Sequence, residues 1–299
     1  MKNIKKSSLN GWLILDKPSG ITSNKAIGIL KSILKVKKIG HCGTLDPLAA
    51  GVLPIAIGEA TKVSGHILNT KKSYIFNVSW GSETLTGDLE GKITNKSEYL
   101  PNEIEVQHAI NSLIGESLQT PPIFSAIKVK GQPAYKLARS GIDFQLKPRE
   151  IFIESFKLIS HMTNSSRMEI ICSKGTYIRA LAVELGRLLN TYGHVTSLYR
   201  VFAGPFHSKH SFSLDSIRDL SHSGQLETAI LPLQNGLDDI LAINVDDEVA
   251  RKLCFGQKVE IKMPQNEKKV LIVCGTTPIA IAVPIAITIT MSTGIQRLC

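Results

Sequence analysis

Several protein classes are excluded by what this 299-residue sequence lacks. Its five cysteines, Cys42, Cys172, Cys254, Cys274 and Cys299, are widely spaced and form no CxxC pair. That argues against a disulfide framework and a zinc site, and it fits a reducing, cytoplasmic setting. The only long apolar run, Pro278 to Met291, is too short for a membrane span and holds two prolines, so no membrane partner is expected. No long apolar run follows the basic stretch Met1 to Lys6, so no secretory signal is expected. No repeat recurs at a fixed period, and no cluster with metal-ligand spacing is found.

Acids are scarce at the N-terminal end. Residues 1–38 hold nine lysines against the single acid Asp16, a local charge of +8 within a chain of net charge +10. Such a basic patch suits a polyanion such as RNA, although a merely soluble basic face reads the same way. The apolar share of 43% with 20% charged residues fits a soluble chain with a real core, and the length suggests two domains.

The spacing of apolar residues gives the coarse order. Residues 11–15 read as a buried strand, followed by a turn over 16–20. Thr22 and Ser23 cap a helix to about Leu34, on which Ile27, Leu30, Ile33 and Leu34 share a face. A strand over 52–57 leads to a helix over 60–68. Tyr74, Phe76, Val78 and Trp80 then alternate onto one face of a strand. Residues 84–91 (TLTGDLEG) read as a polar loop, and 104–114 as a helix ended by Gly115. Residues 119–149 form a proline- and lysine-rich excursion with one short helix. Strands over 149–159 and 167–172 pair, a helix runs from Ile178 to Leu189 with Arg179 in its first turn, and 194–200 is a further strand. Beyond a turn at 234–236, a tail module has a helix over 249–253 and strands over 257–262 and 269–273.

The chain's chemistry centres on residues 40–51, GHCGTLDPLAAG. Gly40, Gly43 and Gly51 permit backbone angles closed to other residues, and Pro47 stiffens the backbone behind Asp46. A carboxylate held on such a loop, with His41 five residues before it, suits a site. An Asp-Pro turn is the plainer reading.

The extended motif GHCGTLDPLAAGVLP (40–54) resembles the catalytic loop of the TruB family of pseudouridine synthases. Four more blocks agree in the family's order: GWLILDKPSGITSN (11–24), GEATK (58–62), TPPIFSAIKVKGQPAYKLAR (120–139) and CSKGTYIRALAVELG (172–186). The resemblance runs from about Gly11 to Gly204. It implies isomerisation of uridine to pseudouridine at position 55 in the T-arm of tRNA. By matched position, Asp46 is the essential aspartate, Tyr74 stacks on the target base, and Arg179 pairs with the aspartate. Leu198 lines the pocket, His41 helps hold the opened RNA, and Lys17 supports the loop. Cys42 stands where the family has Thr, and Leu85 where many members have an acid.

The implied fold is α+β: a mixed, mainly antiparallel sheet with flanking helices and an inserted thumb over 119–149. The catalytic domain would span 1–236, and a small β-rich PUA-like C-terminal module 237–299, altered near its end. The reaction breaks a C–N bond, turns the base and makes a C–C bond without net gain of atoms, so no metal or cofactor is required. The N-terminal lysines, with Lys62, Lys71, Lys72, Lys128 and Lys130, would bind phosphates of the tRNA partner. A monomer is expected. A guide-RNA-dependent relative shares the aspartate loop, and a non-catalytic factor that remodels the T-arm is the alternative from another class. Asp46, Tyr74 and Arg179 together favour catalysis.

Overall fold

The computed structural model describes residues 9–257, 259–261, 267, 269–283 and 295–298. The chain opens with β1 (Gly11–Lys17), α1 (Ser23–Leu34), β2 (Ile39–His41), β3 (Ala50–Ile57) and α2 (Ala60–Leu68). Next come β4 (Lys72–Trp80), β5 (Ser82–Thr84), β6 (Ile93–Lys96), α3 (Glu103–Ser112) and β7 (Gly115–Gln119). The excursion contains β8 (Lys128–Val129), β9 (Gln132–Pro133) and α4 (Ala134–Arg139). It is followed by β10 (Arg149–Met162), β11 (Ser165–Cys172), α5 (Ile178–Leu188), β12 (Gly193–Ala203), β13 (Phe206–His207), α6 (Leu214–His222) and β14 (Ile230–Leu231). The C-terminal part has β15 (Leu241–Asn244), α7 (Asp247–Cys254), β16 (Val270–Cys274), β17 (Thr277–Ala282) and β18 (Ile295–Arg297).

A 10-stranded sheet organises the molecule, in the order β14-β1-β3-β12-β4-β11-β10-β7, with β2 on β3 and β13 on β12. All its pairings are antiparallel except β3 with β12, which meet in parallel at Ala50–Tyr199 and Gly51–Arg200. The fold is therefore the expected mainly antiparallel α+β arrangement. A separate four-stranded sheet, β15-β16-β17-β18, forms the C-terminal part.

The sheet is covered on both faces, which explains why its central strands read as unbroken apolar runs. Leu13, Leu15, Leu53, Ile55 and Ile57 face one core, with Leu30 of α1, Ile110 of α3 and Leu181 and Leu185 of α5. Their neighbours Trp12, Ile14, Val52 and Ala56 face the other, with Val63 and Ile67 of α2 and Leu271, Ile281 and Leu298 of the C-terminal sheet. The side-chain period of two thus divides each strand between the cores.

Local chemistry sets the boundaries. The Thr22 hydroxyl accepts from the Lys25 N–H and caps α1 as expected. Gly115, expected to end a helix, instead opens β7 at φ +110, and α3 stops at Ser112. The expected strand at 257–262 is absent from Gln257 and residues 259–261; Lys258 and Lys262 lie outside the described residues. So do Lys2, Lys5 and Lys6 of the basic patch. Lys25, Lys31, Lys35, Lys37 and Lys38 are exposed, but Lys17 is fully buried. Among the cysteines, Cys42, Cys172 and Cys274 are free, whereas Cys254 is disulfide-bonded, against the expectation from spacing.

Candidate active site

The loop between β2 and β3 is pinned from beneath by the turn after β1. The Ser23 hydroxyl donates to the Leu45 carbonyl and accepts the Leu45 N–H, both at 2.9 Å. The Ser19 hydroxyl donates to the Leu48 carbonyl at 2.8 Å, and the Gly20 N–H to the Pro47 carbonyl at 2.8 Å. Lys17 supports that turn, its Nζ donating to the Pro18 and Ile21 carbonyls at 2.9 and 2.8 Å. Burial pushes the Lys17 ammonium down to about 8, against the opposing pull of the Asp46 carboxylate. Gly51 closes the loop at φ +98. A Cβ there would lie 2.4 Å from the Arg200 carbonyl oxygen, so β3 and β12 approach where only glycine fits.

Asp46 sits on this loop with its side chain 38% exposed. Arg179, in the first turn of α5, is almost wholly buried beside it. Its Nε donates to Asp46 Oδ2 at 2.8 Å, one terminal nitrogen to the Thr86 carbonyl at 2.7 Å, and the other to the Phe124 carbonyl at 3.0 Å. One guanidinium therefore joins the aspartate loop, the 84–91 loop and the base of the excursion. Gln119 adds a second tie there, exchanging hydrogen bonds with the Tyr177 backbone at 2.7 and 3.1 Å.

Two cavities share Asp46 and Arg179. One, of about 270 Å³, is lined by Tyr74, Leu198, Lys72, Arg200 and Tyr177. The other, of about 380 Å³, is lined by His41, Asp88, Glu90, Phe124, Tyr135 and Arg139. Burial raises the Tyr74 phenol above its ordinary value, so it stays protonated at neutral pH. Burial and the nearby Arg200 charge lower His41, whose buried Nδ1 has no hydrogen-bond partner among the described residues. Burial lifts the Cys42 thiol to about 12, which makes it chemically inert.

Asp46, Tyr74, Arg179, Leu198 and His41 are thus gathered around the two cavities, and Lys17 lies beneath the loop. Lys62, paired with Glu59, and Lys128, exposed on the β8–β9 hairpin, line neither cavity. Lys72 is buried rather than presented to solvent, its Nζ donating to the Ile67, Leu68 and Thr70 carbonyls. Three groups were missed from sequence. Asp88 is 3% exposed and 3.5 Å from Arg179 Nε, inside what reads as a polar loop. Arg200 is buried beside Gly43 and Val52. The third is the burial of Lys72, which the sequence places among the phosphate-binding lysines. An acid in a glycine-punctuated loop was the sole signal for Asp88.

A fold with these features is a pseudouridine synthase fold. A chain of a Cbf5–Nop10–Gar1 complex superposes with TM-score 0.73 at 22% identity, over 96% of this chain and 83% of that one. A chain of an H/ACA RNP bound to a substrate RNA containing 2′-deoxyuridine superposes with TM-score 0.71 at 21% identity, over 91% and 77%. The sequence narrows the class further. Residues 31–178 match the N-terminal domain of TruB family pseudouridylate synthase, and 179–238 the C-terminal domain of tRNA pseudouridylate synthase B. The tRNA pseudouridine synthase B of Ehrlichia chaffeensis is 42% identical over 282 residues, 93% of this chain and 94% of that protein. That of Caulobacter vibrioides is 41% identical over 268 residues, 88% and 85%. The chain belongs to the TruB family of pseudouridine synthases, which are isomerases.

Proposed function

We propose that this isomerase converts uridine to pseudouridine at position 55 in the T-arm of tRNA, with Asp46 as the essential carboxylate. The observation that carries this reading is the 2.8 Å contact of Arg179 with Asp46 Oδ2 beside a cavity lined by Tyr74. It leaves Asp46 Oδ1 without a protein hydrogen bond among the described residues. A carboxylate oxygen in that state can attack carbon or remove the ribose C2′ proton.

The target uridine must leave its stack, at a cost of a few kcal/mol. Stacking on the Tyr74 ring returns about 1–3 kcal/mol. Leu198 shapes the apolar wall of the pocket, and the Tyr74 hydroxyl is the group to shuttle the proton from C5, passing its own on as it takes that one up. His41, in the adjoining cavity, helps hold the opened RNA. Lys62 and Lys128 are outlying phosphate contacts, which position the RNA without reading its sequence. In this reading residues 1–236 are the catalytic unit, 119–149 its RNA-contacting thumb, and 237–299 an RNA-binding module. The enzyme acts as a cytoplasmic monomer, without guide RNA, cofactor or metal.

The test is incubation of the purified protein with T-arm stem-loops carrying 5-tritiated uridine, with no guide or metal added. Tritium release is expected from the loop holding the target uridine and not from a loop in which that one uridine is cytidine. A folded protein that binds the stem-loop without releasing tritium favours the non-catalytic T-arm factor.

A further inference from the structure

Three cations line the cavity beside Tyr74: Arg179, Arg200 and Lys72. Asp46 is the only carboxylate among its described lining residues, and Arg179 is already paired with it. Neither Arg200, 1% exposed, nor Lys72, 5% exposed, has an acid within ion-pair distance among the described residues. A buried charge without a counter-ion is costly, and proteins rarely keep one without use.

The two cations differ in what they have left to give. All three Lys72 N–H groups can be spent on the Ile67, Leu68 and Thr70 carbonyls at the end of α2, whose dipole offsets part of the charge. Lys72 therefore acts on the cavity only through its field. Burial and the Arg200 charge bring it down to about 8, which leaves it mostly protonated at neutral pH. Arg200 has five N–H groups. Its Nε donates to the Val52 carbonyl at 2.6 Å and a terminal nitrogen to the Gly43 carbonyl at 3.0 Å. These bonds clamp both ends of the Asp46 loop, a task that a neutral donor could also perform. Arg200 lies opposite Tyr74 across the β12–β4 pairing and lines the same cavity, where its charge acts on the Tyr74 phenol. Leu198, two residues earlier on β12, shares its face and lines the same cavity.

We propose that Arg200, backed by the fixed charge of Lys72, stabilises the uracil as an anion once its bond to the ribose has broken. This rests on the uridine-isomerisation reading above and adds the group that takes up the leaving charge. The electron pair of the C1′–N1 bond departs with N1 and spreads over O2 and O4. The deficit at C1′ is met by Asp46, by bonding to carbon or by removal of the C2′ proton. The pair at C5 then forms the C1′–C5 bond as Asp46 leaves carbon or returns the C2′ proton, the C5 proton leaves, and N1 ends protonated. Nothing is gained or lost overall, and only the intermediate base is charged. A guanidinium at the edge of a ring stacked on Tyr74 meets that charge where it develops.

The experiment compares uridine with 5-fluorouridine at the target position of a T-arm stem-loop. Fluorine makes the uracil anion intrinsically more stable with little change of shape, so less help is needed from the protein. Single-turnover consumption of the target nucleoside is read by nuclease digestion and chromatography. Arg200→Gln should slow uridine consumption by about 10²–10³-fold, the range for losing one preorganised donor. On 5-fluorouridine its loss should be at least roughly tenfold smaller, and Arg200→Lys should recover part of the uridine rate. Lys72→Met should show the same bias with a smaller loss, and it carries the comparison if circular dichroism shows Arg200→Gln to be unfolded. Equal losses on the two substrates would overturn the proposal, since a merely structural clamp slows both alike. Failure of the underlying reading looks different: the wild-type protein would leave the uridine stem-loop unchanged.

Discussion

Removing the Arg179 guanidinium should destabilise the fold chiefly through Asp88 and not through Asp46. Arg179 faces two carboxylates, Asp46 at 2.8 Å and Asp88 at 3.5 Å, and distance alone would give Asp46 the larger share. Burial reverses the order. The Asp46 side chain is 38% exposed, so water can solvate it once the arginine is gone. The Asp88 side chain is 3% exposed, and Arg179 is its only ion-pair partner among the described residues. Removing one partner of a buried pair costs about 3–5 kcal/mol, because the other charge is stranded. Arg179→Met should therefore lose about that much in urea denaturation, including the release of the Thr86 and Phe124 carbonyls. Adding Asp88→Asn should restore roughly half or more of the loss, since the neutral amide can still accept from the Glu90 N–H. Adding Asp46→Asn should restore little. Equal recovery by the two second substitutions, or none by Asp88→Asn, would refute the assignment of Asp88 as the buried counter-ion.

Tyr74→Phe keeps the stacking ring and removes the hydroxyl, so RNA binding should hold while tritium release slows; an unchanged rate would remove the hydroxyl from the proton transfer. Gly51→Ala places a Cβ 2.4 Å from the Arg200 carbonyl oxygen at φ +98, and should cost about 2–4 kcal/mol by urea denaturation. A variant as stable as wild type would mean that the β3–β12 approach is slack. Cys42, buried and raised to about 12, should resist iodoacetamide at pH 8 until the protein is denatured, and labelling of the native protein at this thiol would contradict its environment.

Much of the fold was legible because local rules and tertiary demands agree. The Thr22 cap sets the start of α1, and α2 runs over the expected residues 60–68. The alternation in β4 buries Phe76, Val78 and Trp80. Gly115 misled because a positive-φ glycine opens a strand as readily as it closes a helix. The site divided along a similar line. Asp46 was legible from its loop, and Arg179 from a glycine turn before a helix. Asp88 was not, because its burial depends on an arginine 91 positions further on arriving beside a loop of threonines and glycines. Lys72 and Arg200 were hidden for a related reason. A lysine on a strand facing water and one turned under a helix end have the same sequence context, and only the bonds of its Nζ to the carbonyls at the end of α2 tell them apart. The wide spacing of the cysteines argued against the bond at Cys254, because spacing along the chain does not show what folding brings beside it.

The central claim is that Asp46 is the essential carboxylate, required for the chemistry but not for holding the RNA. Asp46→Asn should keep its fold, because Asp88 still answers the Arg179 charge. Its affinity for the T-arm stem-loop, by filter binding, should stay near that of wild type, while tritium release from 5-tritiated uridine falls to background. Release at a rate near wild type from the bound variant would contradict the account.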